Sequence, residues 1–528
     1  MRRWNGWGHT DVSYPLPDTT AAVLAERVGP GSAPRDALLA EVAASVPPSR
    51  LPPHPLVSTE PELRIRHARG QSFPDLIVLR SGRVPAFPDG VAFPRSAEDV
   101  RALLSYAREV GARLIPYGGG TSVVGHVNVE PGDAPVLTVS LERLQQLHSL
   151  SEEDRLATFG AGISGPRLEQ TLNVRGYTLG HFPQSFELST LGGWIVTRSR
   201  GQQSLGYGRI ENLFAGGRLE SPAGTMMLPS FPASATGPDL REFVLGSEGR
   251  LGILTEATVR ITPTPEREDF HALFFPDWER ARTAVRELVQ SGAALSMLRL
   301  STAQETAIHL ALSGHPRMVG LLSGALALRG VGAEGCMLML GVSGSERAVE
   351  HSRRTALGIA GRHGGVRMPT LGQKWRKGRF RAPYLRNAAW ERGWGLDTVE
   401  TATSWSNLPR LLAAVESALR EALADRGERV LAFTHLSHVY PTGSNLYTTF
   451  VFRLGHDADD THARWLALKT AASRAMVAHG GTISHQHGVG TDHRPWLEAE
   501  KGQLGISAIR QMFGAFDPTG LLNPGKLV

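Results

Sequence analysis

Near the end of the chain, "TISHQHGVGTDH" sets His485, Gln486 and His487 on a glycine-rich turn. Imidazoles at this spacing can ligate a metal, work as bases beside a cofactor, or be ordinary polar loop residues, and the spacing does not choose among these. The glutamine between them can hydrogen-bond but carries no proton at neutral pH. A second stretch, "PYGGGTS" from Pro116 to Ser122, joins three glycines to two hydroxyls. Consecutive glycines let backbone amides come close to a ligand and form a concave anion site, and Thr121 and Ser122 add donors. A third, "GAGISG" (Gly160, Gly162, Gly165), fits the dinucleotide fingerprint. The acidic residue expected after the next strand is not clearly placed, and 59 glycines make chance matches common.

The elements that must position these residues are partly legible. In "SAEDVRALLSYAREVGARLIPYGGGTS", Ser96 caps a predicted helix whose apolar face is Val100, Leu103, Leu104, Ala107 and Val110. "RLIPY" then reads as a strand delivering the glycine loop, and "APVLTVSL" as another. "RLATFGAGISGPRLEQTL" reads as strand, turn and helix, with Pro166 in the first turn. Strands and helices alternate up to about residue 265, and the Pro- and Thr-rich seam "TPTPERED" (262 to 269) marks a predicted boundary. Beyond it, "DWERARTAVRELVQSG" and "WSNLPRLLAAVESALREALADRG" are predicted helices between strand-like "RVLAFTHLS" and "LYTTFVFRL".

Composition narrows the class. The chain has 528 residues, 41% hydrophobic and 20% charged, which suits a globular protein of two or more packed domains. One cysteine, Cys336 in "CMLML", excludes an intrachain disulfide framework and reads as a buried structural thiol. The start has no apolar region of a secretory signal. The longest apolar stretch, "VGLLSGALALRGVGAEGCMLMLGV", is interrupted by Arg329 and Glu334 and is expected to be a core strand pair with a linker. The net charge of +6 includes a basic run, "QKWRKGRFR" (373 to 381), read first as a solvated face.

The motifs "PYGGGTS", "PQSFELSTLGGW", "VTRSRG" and "GSEGRLGILTEA" occur in the order and spacing of the vanillyl-alcohol-oxidase-type flavoproteins. Together with "WNGWGHTD", "YGRIENL" and "SHQHGVG", the chain resembles the alkyldihydroxyacetonephosphate synthases of that superfamily. The resemblance implies an α+β fold of two domains: a PCMH-type FAD-binding domain and an α+β cap. The expected divisions are an N-terminal segment 1–84, the flavin domain 85–266, the cap 267–500, and a segment 501–528 returning to the flavin domain. It also implies which loops hold FAD. These are Pro116, Gly118, Gly119, Gly120, Thr121 and Ser122, then Gln184, Ser185, Ser189 and Thr190. Thr197 and Ser199 follow, and then Glu248, Gly249, Leu251, Gly252 and Ile253. Relatives that attach flavin covalently carry histidine or cysteine at defined places; this diphosphate loop has glycine and threonine there, so non-covalent FAD is expected.

By the same resemblance, Tyr447 in "THLSHVYPTGSNLYTTFVF" matches the tyrosine that moves a proton at the substrate carbon. A phenol with a pKa near 10 needs positive charge or hydrogen bonds to act as a base, and His485 and His487 are expected to supply them. Arg386 matches the arginine that binds the substrate phosphate, and Arg299 in "MLRLS" matches one needed for activity; a guanidinium forks onto phosphate or carboxylate. The synthases have a third imidazole where this chain has Gln486. The flavin-dependent 2-hydroxyacid dehydrogenases hold a metal with two histidines and a glutamate, but here Tyr447 and Gln486 occupy two of those places, so no metal is expected.

The activity so implied is an ether-lipid synthesis without net oxidation: the acyl chain of an acyl-dihydroxyacetone phosphate is exchanged for a fatty alcohol. An FAD oxidoreductase acting on an alcohol or 2-hydroxyacid is the alternative, and a catalytically silent flavin-binding scaffold the second. The expected partners are these lipid-like small molecules and no nucleic acid. The reading admits a peripheral membrane contact, a homodimer, and a cytoplasmic location at the inner membrane face.

Overall fold

The computed structural model describes residues 1–312 and 316–528. The glycine loop is delivered by a small sheet in which Gly90–Ala92, Val136–Ser140 and Arg113–Tyr117 run parallel, with Val57–Ser58 on its edge. Helix Ala97–Glu109 covers this sheet. Ser96 Oγ accepts the Asp99 amide at 3.2 Å, and Val100, Leu103, Leu104 and Ala107 are buried in the core beneath. The chain end joins the same sheet, for the Leu114 amide donates to Leu521 O (2.9 Å) and the Asn523 amide to Leu114 O (2.7 Å).

A second, antiparallel sheet orders Leu147–Ser151, Leu156–Gly160, Ile253–Arg260, Phe214–Ser221 and Gly224–Leu228. Its core also takes Leu497, Ile506 and Phe513 from the late helix Leu497–Phe516. Gly162 lies on the Leu141 carbonyl, where a Cβ has no room, so the "GAGISG" glycines serve close packing at this junction.

The third sheet has eight strands, in the order Val366–Met368, Arg267–Phe275, Cys336–Gly344, Met297–Ser301, Leu431–Leu436, Gly443–Arg453 and Trp394–Ser404, with Val439–Tyr440 beside Gly443–Arg453. Helices Trp278–Gln290, Glu346–Arg362, Leu408–Glu421 and Ala458–Ala478 pack on one face, against Leu298, Leu300, Ala432, Leu436, Leu446 and Phe450. Side chains alternate across a strand, so the residues between these point to the opposite face. That face therefore presents Arg299, Phe433, His435, Tyr447 and Val451.

Two expectations change. The seam at 262–269 is no free linker: Thr262–Pro263 pairs with Tyr177–Thr178, and Arg267 already begins a nine-residue strand. The apolar stretch is helix Pro316–Ala327 followed by strand Cys336–Gly344, not a strand pair. Its first half is mostly Leu and Ala with one β-branched residue, Val319, and this outweighs its glycines in favour of the helix. Cys336 is fully buried, which raises its thiol to about 12.

Candidate active site

One cavity of about 710 Å³ lies between the two flavin-side sheets and the open face of the eight-stranded sheet. Its first part is the glycine loop. Gly119 lies on the Leu188 carbonyl with Ser189 Cα 2.9 Å from any added Cβ; Gly120 has φ 59° and lies on the Tyr117 hydroxyl. No side chain fits at either position, so the loop amides are exposed to a ligand. Pro116, Gly118, Thr121 and Ser122 line the same wall, as do Gln184, Ser185, Ser189, Thr190, Thr197 and Ser199. Several of the hydroxyls are already engaged: Ser189 Oγ accepts Trp194 Nε1 (2.7 Å), and Thr197 Oγ1 donates to Gly193 O (2.8 Å). Gln184 Oε1 is buried without a partner. An orphaned acceptor and a cradle of free amides fit the ribityl and diphosphate groups of FAD.

Glu248, Gly249, Gly252 and Ile253 line the cavity, while Leu251 is fully buried in the flavin-side core and does not. Glu248 has a left-handed backbone (φ 53°). It accepts the amides of Val489 (2.6 Å) and Gly490 (2.8 Å) and lies 3.1 Å from His126 Nε2, whose Nδ1 is 2.9 Å from Ser122 Oγ. Glu248 therefore ties the "HGVG" turn to the glycine loop.

The opposite wall is built on a row of residues in register across three strands. Tyr447 pairs with His435 on one side and Glu400 on the other, and strand alternation aims all three at the cavity side. His435 stacks on Tyr447 with ring centroids 4.9 Å apart, and His487 meets Tyr447 edge-on at 5.7 Å. Tyr447, His487 and Gln486 line the cavity; His485 does not. His485 points behind the wall, where its Nε2 is 2.7 Å from the Tyr440 hydroxyl.

The charges differ from expectation. Burial lowers His487 and His438 to about 3 and His435 to about 4, and holds His485 well below the usual range. The imidazoles are uncharged at neutral pH and supply no positive charge to Tyr447, because no water is available to solvate an imidazolium there. Burial, reinforced by the Glu400 charge, raises the Tyr447 phenol to about 12. Tyr447 is a neutral phenol at rest.

Two of the arginines that line the cavity, Arg386 and Arg299, each stand beside a carboxylate. Arg386 donates from Nη2 to Asp397 Oδ1 (2.5 Å), from Nε to Leu396 O (3.3 Å) and from Nη1 to Gln71 O. Three of its five N–H groups are thus engaged, leaving two for a ligand. Arg299 Nη2 donates to Glu305 Oε1 (2.9 Å), which is also 2.7 Å from His435 Nδ1, with His309 Nε2 3.1 Å from Arg299. Burial opposes a charge on Glu305. Against it, His435 and the Arg299 guanidinium, with hydrogen bonds from His309 and His435, hold this carboxyl well below the usual range.

Glu305, His309, His435 and Glu400 were not singled out from the sequence. Period-two alternation in "LDTVETATS" places Glu400 with Leu396 and Thr398, and this was the available signal. The basic run is also more than a solvated face. Arg379 lines the cavity over Phe182 (4.5 Å) and donates to Gln203 (2.7 Å), while Arg376 pairs with Glu268; the Lys374 side chain lies outside the described residues. Among the described residues, no three His, Cys, Asp or Glu side chains converge as a metal site.

A parallel-edged glycine-loop sheet, an antiparallel partner sheet and a large cap sheet closing over them define an FAD-binding flavoprotein. The family profile described as FAD linked oxidases, C-terminal domain, matches residues 264–527, and that described as FAD binding domain matches 88–227. The chain belongs to the FAD-linked oxidase family. Over 571 aligned residues it is 28% identical to the alkyldihydroxyacetonephosphate synthase of Dictyostelium discoideum, covering 100% of this chain and 93% of that one. It is 29% identical to the synthase of Trypanosoma brucei brucei, covering 88% and 77%. A solved alkyldihydroxyacetonephosphate synthase structure superposes with TM-score 0.86 at 25% identity, covering 99% of this chain and 98% of that one.

Proposed function

We propose that this protein exchanges the acyl chain of an acyl-dihydroxyacetone phosphate for a fatty alcohol. The observation that carries this reading is the apolar part of the cavity. Leu16 and Leu24 of the N-terminal segment, Ile308 and Leu312 of helix Ala303–Leu312, and Phe433 and Val451 of the cap sheet line the same cavity as Tyr447 and Arg386. A long chain gains about 0.8 kcal/mol per buried methylene in such surroundings, which a small hydroxyacid cannot use. FAD, held without a covalent link along residues 116–122, would supply the electron-accepting ring. The chain's own residues do the rest. Arg386 offers its two open N–H groups to the phosphate, and Arg299 orients His435 against Tyr447. Tyr447, a neutral phenol, takes a substrate proton only as it passes its own on.

The exposed Met318 and Leu321 of helix Pro316–Ala327, with Leu328 just beyond, support a peripheral membrane contact at the inner face. A dimeric state belongs to the same proposal. The deciding experiment adds radiolabelled fatty alcohol and acyl-dihydroxyacetone phosphate to the FAD-loaded protein. Alkyl product with the flavin still oxidised supports the synthase. Flavin bleached by a 2-hydroxyacid, with no alkyl product, supports the oxidoreductase instead.

A further inference from the structure

The exchange leaves a proton over. The ester's carbon–oxygen bond breaks to release a carboxylate, the alcohol oxygen bonds to the same carbon, and the alcohol's O–H proton must leave the buried wall of the cavity. Oxidation of an alcohol to a carbonyl would likewise free its O–H proton. Tyr447 faces the cavity, so an exit requires groups beside it on the same sheet face but outside the cavity lining.

Glu400 stands there. Its side chain is fully buried, and Oε1 accepts the successive amides of Gln486 and His487, both at 2.6 Å. Its Oε2 has no partner, and neither does His485 Nδ1; the two face each other at 3.9 Å. His487 Nδ1 is 3.6 Å from Glu400 Oε1, and His485 Nε2 is 2.7 Å from the half-buried Tyr440 hydroxyl. The two longer gaps exceed hydrogen-bond length by less than about 1 Å. Unpaired polar atoms in a packed interior are costly, and two that face each other call for a functional explanation.

We propose that Glu400 and His485 form a proton relay leading from the cavity wall to the outside, entered at His487 beside Tyr447 and running through Glu400 and His485 to Tyr440. His485 can carry its proton on either nitrogen: on Nδ1 it faces Glu400, and on Nε2 it faces Tyr440. The shift between these tautomers is the transfer. Glu400 is a group that both holds the "SHQH" turn through two amides and accepts the proton, work that Gln486 cannot do. The charged and titratable groups facing Glu400 are Lys469 of helix Ala458–Ala478, Arg200 of the flavin side, Tyr447 of the paired strand, and His485 and His487. Burial outweighs the two amides and both cations and raises the Glu400 carboxyl to about 7, where it can take and return a proton.

The relay rests on either redox-neutral exchange or alcohol oxidation, and the test separates it from both. The FAD-loaded protein is compared with Glu400→Gln, His485→Asn and the double variant. Gln keeps an oxygen for the two amides but cannot pass a proton. Both single variants are expected to keep FAD and KM within about 2-fold and to lose about 10²-fold in kcat. The double variant is expected to lose no more than either alone, since the steps are in series. Infrared titration across pH 5 to 9 needs no substrate: a carboxyl band absent from Glu400→Gln is expected to titrate at a different pH in His485→Asn. Wild-type kcat in His485→Asn, additive losses, or an unshifted carboxyl titration overturns the relay. If Glu400→Gln fails to fold, His485→Asn decides by rate. If the wild type makes no alkyl product but a 2-hydroxyacid bleaches its flavin, the synthase reading falls, and the same variants judge the relay by the bleaching rate.

Discussion

Replacing Glu400 by Gln should change how stability depends on pH, whatever the substrate. The carboxyl titrates at about 7 in the folded protein against 4.5 when unfolded, because burial outweighs the Gln486 and His487 amides. Below pH 4.5 both states hold the proton and the residue contributes nothing. Between 4.5 and 7 the folded state keeps a proton that the unfolded state has released, so unfolding is increasingly favoured as pH rises. Above 7 the folded state carries the full cost of a buried charge. A difference of roughly 2.5 pKa units at 1.36 kcal/mol each makes that cost about 3 kcal/mol. Glu400→Gln has no such term. For cooperative unfolding of a 528-residue chain, at about 2.1 cal/mol/K per residue, it corresponds to a Tm difference of about 3 °C. Thermal melts of both FAD-loaded proteins at pH 5, 6, 7 and 8 would show the wild type losing that much relative to the variant, mostly between pH 5 and 7. Parallel profiles over this range would mean that Glu400 does not change protonation, and the electrostatic account of the wall would fail.

Tyr447→Phe removes one hydroxyl from the cavity wall and should keep FAD and Tm while exchange falls by about 10²-fold or more; a wild-type rate would make Tyr447 only a packing residue. Gly119→Ala drives a Cβ into the Leu188 carbonyl, so the loop must move and the purified protein should lack flavin absorbance; a yellow variant would show that the loop is not the cradle. Arg386→Met leaves Asp397, 4% exposed, with only the Trp465 indole (2.7 Å) as hydrogen-bond partner and should cost about 3–5 kcal/mol in denaturant unfolding, besides raising KM. An unchanged midpoint would mean that the Asp397 pair is not structural. Natively bound FAD should leave the denatured chain intact on filtration, since the diphosphate loop carries no histidine or cysteine; flavin that stays with the protein would show a covalent link.

What the sequence by itself determined was set by short-range physics. The Ser96 cap, the apolar spacing of the following helix, the glycines of "PYGGGTS" and the Pro166 turn each depend on a few neighbours, and each is found where its residues required. The family motifs, too, are loops whose backbone demands glycine or a small hydroxyl, so their order alone pointed to FAD. Helix Pro316–Ala327 was misread because an apolar run has no periodicity to separate a helix from a strand. The chemistry of the wall was decided by tertiary structure. Glu400 lies well before His435 and Tyr447 in the chain, and the three meet only because three strands pair in one register. His485 and His487 flank a single residue, yet one faces the cavity and the other Tyr440, since a turn aims each side chain by its own torsions. Their uncharged state, and the raised Glu400 and Tyr447, come from the removal of water by the whole cap. Sequence names the ionisable groups, but burial decides which of them hold a proton.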